Sequence, residues 1–347
     1  MKASPDEAAG SERLVDPVTG FVYPQEWSAR CRDPQDLTLA RRGLGVLTAS
    51  GKVLRRGFST GTTAAAACKA AILSLEMAVA EVEVLIPCGM RVKVSASGNA
   101  GVGCCSKYPG DYPEDATAWV EFIARTERSD EGTALIAGEG IGRFERSTSR
   151  FRRGDPAISP TSYRCIMHAC QEALGDIGAR GVRIELSVPH GEEIAETTLN
   201  RRMGIAGGIS VLGSTGLVEP WGGHLLDSVL ERVEKAKRPV LTTGRTGMRY
   251  ASMLFPDREV ILVGAKIGEA LGRCKGDAIL FGLPGLIMRF IDPRILEGTG
   301  FWSVEELIDS GEYGSRIPEA LGRFKRDLPW VRVILVDREG RILVDSG

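Results

Sequence analysis

Long apolar runs are missing from this 347-residue chain, and histidine, cysteine and aromatic residues are sparse. No run reaches the roughly 18 consecutive apolar residues that a membrane-spanning helix needs. The opening MKASPDEAAGSER has no apolar core of the secretory type. Both absences point to a cytoplasmic protein that does not engage a membrane. Eight cysteines are too few for a disulfide scaffold in a chain of this length, so they are expected to be reduced. Of the three histidines, His168 lies near Cys165 and Cys170, but no second ligand pair follows at zinc spacing, and no metal site is expected. An excess of either charge is also missing. With 44 Lys+Arg against 45 Asp+Glu, the net charge is -1, and nothing calls for nucleic acid as a partner. A small molecule is the partner class that remains, and a homo-oligomer is compatible with the sequence.

Glycine is what the chain has in excess: 43 residues, bunched at 98–103, 138–142, 204–216 and 264–285. Such clusters mark tight turns and places where backbone approaches a ligand. Residues 1–55 are polar and carry four prolines, so they read as a surface extension. Residues 56–216 read as an α+β domain. "GFSTGTTAAAACKAAILSLEMAV" is a polar turn entering an alanine-rich helix, "EVEVLIPCG" and "MRVKVSA" form a hairpin, "ATAWVEFIARTE", "TALIAGEGIG" and "GVRIELSV" are strands, and "PTSYRCIMHACQEALGDIG" is an amphipathic helix. From 217 to 347 the pattern becomes apolar strand, glycine turn, helix, three times over: "RPVLTTG" into "RTGMRYASML", "REVILVGAK" into "IGEALGRCK", and "DAILFGLPG" into "LIMRFI". That pattern predicts an α/β Rossmann-like domain with a mostly parallel sheet.

Four constellations could carry chemistry. Ser59, Thr60, Thr62 and Thr63 crowd the start of the alanine-rich helix, where an ordinary cap needs one hydroxyl. Hydroxyls and free N–H groups there suit a carboxylate or phosphate. Lys107, Asp111, Glu114 and Asp115 sit in a turn-rich loop that is either a solvated acidic loop or a cradle for a proton or cation. Residues 187–221 hold Glu193, Asn200, Arg202, Ser214 and Thr215, with five glycines between 204 and 216, a density that suits backbone wrapped round a ligand. Last, the strand-end turns at Gly244 and Gly247, at Gly264 and Gly268, and at residues 282–285 lie where ligands bind in open parallel sheets.

The first and third of these together resemble the CbiD family, the cobalt-precorrin-5B C(1)-methyltransferases of anaerobic cobalamin synthesis. The resemblance is carried by Gly57-Phe58-Ser59-Thr60-Gly61-Thr62, by Ile86-Pro87-Cys88-Gly89, by the loop from Lys107 to Thr117, and by "VPHGEEIAETTLNRRMGIAGGISVLGSTGLVEP". It extends from about Gly57 to Lys275, with the chain going its own way from about Phe290. The resemblance implies S-adenosylmethionine as methyl donor and a tetrapyrrole substrate. It places Ser59, Thr60, Thr62, Lys107, Asp111, Glu193, Asn200, Arg202, Ser214 and Thr215 on the substrate side, and Gly244, Gly247, Gly264 and Gly268 on the donor side. No residue is assigned as a general base. The chain departs from the family where Leu283 and Leu286 stand in place of a His and a Lys. The alternative is therefore a divergent paralogue that binds a tetrapyrrole or nucleoside without methyl transfer.

Overall fold

The computed structural model describes residues 13–112, 115–147, 151–221, 229–311 and 314–347. The chain divides into two units, Leu54–Gly222 on the one hand and Met1–Val53 together with Gly223–Gly347 on the other.

In Leu54–Gly222, alternating burial along the strands builds a six-stranded sheet with one buried face. Its strands are β1 (Val79–Leu85), β2 (Arg91–Asn99), β3 (Val102–Ser106), β4 (Glu121–Arg128), β5 (Ala134–Ala137) and β6 (Val182–Ser187), in the order β1-β2-β3-β4-β6-β5. All neighbours are antiparallel except β6 and β5. The expected hairpin is β1–β2, with Leu85 opposite Arg91. Helix α1 (Thr60–Leu73) packs on this sheet and α2 (Pro160–Asp176) packs on α1; every residue of α1 but Leu73 is buried. The alanine run explains how, because only small side chains let a helix backbone come so close to a sheet. The sheet answers with Gly98 and Gly103, paired opposite each other on β2 and β3. A Cβ at Gly98 would stand 2.4 Å from the Ala70 carbonyl oxygen, and one at Gly103 would stand 2.2 Å from that of Ala67. Gly98 and Gly103 thus serve helix-on-sheet packing and not the approach of a ligand. They also disguised β3, which the sequence reading passed over.

The second unit is built on a five-stranded sheet: β7 (Val240–Thr242), β8 (Val260–Leu262), β9 (Ala278–Gly282), β10 (Val331–Val336) and β11 (Ile342–Asp345), ordered β8-β7-β9-β10-β11. The first four strands are parallel and β11 is antiparallel. Helices α3 (Val229–Lys235), α4 (Arg245–Leu254), α5 (Ile267–Arg273), α6 (Pro284–Ile291), α7 (Val304–Asp309) and α8 (Arg316–Asp327) join them. β7 and β9 are buried at every position, as strands covered on both faces must be. Leu241, Ile261, Leu280 and Val333 meet Ile267, Ile287 and Leu321 in one core.

Residues 13–53 are not a surface extension. Tyr23, Trp27 and Leu47 are buried, the Phe21 ring lies 5.5 Å from that of Tyr250, and Ala49 N–H donates to the Met253 carbonyl at 2.7 Å. Two of the prolines that suggested a loose arm, Pro24 and Pro34, instead start two short helices, Gln25–Arg30 and Pro34–Arg41. Among the described residues, no helix is long and apolar enough to cross a membrane.

Candidate functional site

The short segment Arg56–Phe58 is the hinge pin of the first unit's polar region. On one edge it pairs antiparallel with Leu217–Val218, Leu217 facing Phe58 and Val218 facing Gly57. On its other edge Phe58 N–H donates to Tyr108 O at 2.8 Å, Asp111 N–H donates to Arg55 O at 2.9 Å, and Arg56 bridges Gly110. Three constellations that are far apart in sequence, at 59–63, 107–117 and 200–219, are therefore neighbours in space.

Their polar groups mostly satisfy one another. Ser59 Oγ accepts the Thr62 N–H at 3.2 Å and caps α1. Thr60 Oγ1 accepts the Leu212 N–H at 2.8 Å and lies 3.2 Å from the carbonyls of Ser210 and Leu212, to which it donates. Thr62 Oγ1 donates to Gly216 O at 2.6 Å. Asn200 Nδ2 donates to Gly208 O at 3.0 Å, and its Oδ1 accepts the Ser210 hydroxyl at 2.9 Å. Ser59, Thr60, Thr62, Asn200 and Ser210 are all buried. The surplus of hydroxyls at this helix start is thus a seam that holds the glycine-rich segment against α1. Ser214, by contrast, is exposed, and Thr215 is half-buried, its hydroxyl accepting the Leu217 N–H and donating to the Leu217 carbonyl, each at 3.3 Å. Three of the glycines here, Gly208, Gly213 and Gly216, are matters of packing as well: a Cβ at Gly213 would lie 2.3 Å from Ser59 Oγ and one at Gly216 2.6 Å from Ile86 Cβ, whereas Gly204 and Gly207 have open space and positive φ.

Two buried cations lie along the same ribbon. Arg56 Nε meets Glu219 Oε2 at 3.3 Å with its side chain fully out of water. Lys107, also buried, is ion-paired with Asp115, whose other oxygen accepts the Thr117 N–H at 2.9 Å and hydroxyl at 2.7 Å. Burial pushes the Lys107 ammonium below its ordinary value, against the pull of Asp115. Burial would raise Asp115, but the bonds from Lys107 and Thr117 outweigh it and hold the carboxyl below the usual range. Asp115, lowered from a value that is already acidic, is charged near neutral pH. Lys107 is thus a buried brace for the loop, and Asp111 braces it too, its Oδ2 accepting the Arg55 N–H at 2.8 Å. Glu193 is exposed on a short helix, 3.6 Å from His190 Nδ1. The Arg202 side chain, Glu114 and His224 lie outside what is described.

In the second unit, a hollow of about 260 Å³ opens at the carboxyl ends of the parallel strands, lined by Thr243 to Gly247, Leu283, Gly285, Leu286 and Glu305. Its place follows from the strand order. The chain steps from β7 to β8 on one side and then to β9 on the other, so the turns after β7 and β9 splay apart and leave a crevice. Gly244 and Gly247 line it. Gly264 and Gly268 do not, because their turn follows the edge strand β8; Gly268 instead faces Phe290, to which a Cβ would come within 3.3 Å. Gly247 also lets α4 approach β9, since its Cβ would be 3.0 Å from Gly282 Cα. Leu283 and Leu286 form the apolar wall.

The sequence reading missed Arg56 and Glu305. Arg56 carries no pattern that separates it from a surface arginine. Glu305 could have been found from Ser303 and Glu306, whose spacing signals the capping box that starts α7.

Residues 47–220 match the CbiD family model. Two proteins named cobalt-precorrin-5B C(1)-methyltransferase are similar to the chain: that of Methanoregula boonei, 52% identical over 96% of this chain and 100% of its own, and that of Methanoculleus marisnigri, 51% identical over 95% and 99%. A crystal structure of a cobalamin biosynthesis protein (cbiD) from Archaeoglobus fulgidus superposes with a TM-score of 0.55 at 33% identity, over 93% of this chain and 100% of that one. The likeness is therefore not confined to Gly57–Lys275; it runs through the segment expected to go its own way. The chain belongs to the CbiD family.

Proposed function

We propose that the chain is an S-adenosylmethionine-dependent methyltransferase that methylates C1 of cobalt-precorrin-5B in anaerobic cobalamin biosynthesis, working in the cytoplasm. The observation that carries this reading is the likeness over 333 residues to an enzyme of that name. The reaction is a displacement. A nucleophilic ring carbon takes the sulfonium methyl, a C–C bond forms as the C–S bond breaks, and the electron pair leaves with the thioether. Such a step depends chiefly on holding the reactants in line at contact distance.

The unit of β7 to β11, read as Rossmann-like, supplies a hollow whose residues fit the donor. Gly244 and Gly247 leave backbone open to it, Thr243 and Thr246 offer hydroxyls, and Glu305 offers an acceptor for ribose hydroxyls or an ammonium. Leu283 and Leu286 offer an apolar wall for a purine. That wall makes loss of the family His and Lys a change in what the hollow grips and not a reason to expect no donor. The substrate side is the ribbon at Arg56–Phe58 with its flanking loops, where exposed Ser214 and half-buried Thr215 present polar atoms beside the α1 seam.

The test is incubation of the purified chain with S-adenosylmethionine and cobalt-precorrin-5B. The expected result is a product heavier by one methyl group and substituted at C1. Absence of that product, in conditions where the Methanoregula boonei relative forms it, overturns the proposal.

A further inference from the structure

Trp119 occupies a backbone position that suits glycine. Its φ is +61°, in the left-handed region that bulky residues avoid. It is the third residue of a turn closed by Val120 N–H to Thr117 O at 3.4 Å, the place where turns with positive φ take Gly or Asn. Nothing is gained in the core, because Trp119 is 62% exposed. The surrounding loop is nevertheless built to hold it. Lys107 and residues 119–120 exchange two backbone bonds, Trp119 N–H to Lys107 O and Lys107 N–H to Val120 O, each at 2.9 Å. The buried Lys107–Asp115 pair and the Thr117 bonds to Asp115 lock the turn beneath. The indole ends a row of rings: Phe58 to Tyr108 at 6.2 Å, then Tyr108 to Trp119 at 6.0 Å in an edge arrangement. That row leads from the residue before the α1 cap out to solvent.

A residue that is both strained and exposed does not serve folding, and strain kept by a braced loop points to function. We infer that Trp119 is a substrate-binding platform, its indole face packing against the flat, largely apolar face of the cobalt macrocycle. An exposed aromatic with few rotatable bonds suits a large ring ligand, because it offers wide contact area at little entropic cost. This inference rests on the macrocycle reading above.

The experiment separates the two. Binding of cobyrinic acid, a cobalt corrinoid with free carboxylate arms, is titrated by absorbance against the parent chain and Trp119→Gly, Trp119→Phe and Trp119→Asn, with melting curves for each. Glycine relieves the strain and removes the ring. Trp119→Gly is therefore expected to melt no lower than the parent while its Kd rises about ten-fold or more, which corresponds to roughly 1.4 kcal/mol. Trp119→Phe is expected to stay within about three-fold of the parent, as phenyl keeps a stacking face. Should Trp119→Gly not fold, Trp119→Asn, which also accepts the left-handed backbone, carries the same test. A parent that binds the corrinoid while Trp119→Gly binds it equally well overturns the role of Trp119 alone. A parent that binds no corrinoid overturns the macrocycle reading and this inference with it.

Discussion

Thr62 donates its hydroxyl to the carbonyl of Gly216 at 2.6 Å, across 154 residues of chain, and so closes the glycine-rich segment onto the start of α1. Thr62→Val keeps the shape and removes this donor, while the Gly216 carbonyl keeps the Ser59 N–H at 3.0 Å. Stability is expected to fall by about 0.5–1.5 kcal/mol, the net worth of one hydrogen bond, read as a lower midpoint in urea with the slope unchanged.

Glycine at 103 is a matter of space. With Ala67 O only 2.2 Å from the site of a Cβ, Gly103→Ala must push α1 off the sheet, at a cost of about 1–3 kcal/mol. Gly175 in α2 has nothing within 4 Å of its would-be Cβ, so Gly175→Ala is expected to stabilise by about 0.5–1 kcal/mol. Paired melting curves should move in opposite directions.

The buried Lys107–Asp115 pair makes a double-mutant cycle informative. Asp115→Asn leaves a buried ammonium without its counter-charge and is expected to cost about 3–5 kcal/mol. Lys107→Met with Asp115→Asn should recover most of that loss, because no charge is then left alone and the amide oxygen still accepts from Thr117. An additive cycle would contradict the coupling.

Acid sensitivity follows from depressed carboxyls, of which Glu172 and Asp115 lie in the first unit. Burial works against Glu172, but bonds from Arg91 at 2.6 Å and Lys69 at 2.7 Å, with their charges, hold it at about 2. Asp115 is lowered as well. A carboxyl whose folded pKa lies below its unfolded value, about 4 for these groups, adds stability that is complete above that value. The contribution is lost as pH falls toward the folded pKa. Stability should therefore drop between about pH 4 and pH 2, and Glu172→Gln should flatten that fall in a pH series of urea melts.

Filling the hollow tests the donor site. Leu286 is 43% exposed on the wall, so Leu286→Trp is expected to change stability by no more than about 0.5 kcal/mol. It should raise KM for S-adenosylmethionine about ten-fold or more, and leave corrinoid affinity as it was. An unchanged KM would move the donor elsewhere.

Sequence alone determined what local chemistry dictates. The alanine-rich helix with its Ser59 cap, the β1–β2 hairpin, α2, and the repeated strand, glycine turn and helix of the second unit were legible because periodicity and caps act over a few residues. Resemblance located the family for the same reason, through contiguous motifs. What glycine was for could not be read that way. Gly98 and Gly103 serve packing and Gly247 serves the approach of α4 to β9, and these depend on which backbone arrives from elsewhere in the chain. Only the tertiary structure decided that residues 56–58 join three distant constellations, that β8 lies at an edge so that Gly264 and Gly268 miss the hollow, and that residues 13–53 pack with the second unit. Each is a long-range pairing, set by the burial of surfaces that are far apart in sequence, to which a local pattern carries no pointer.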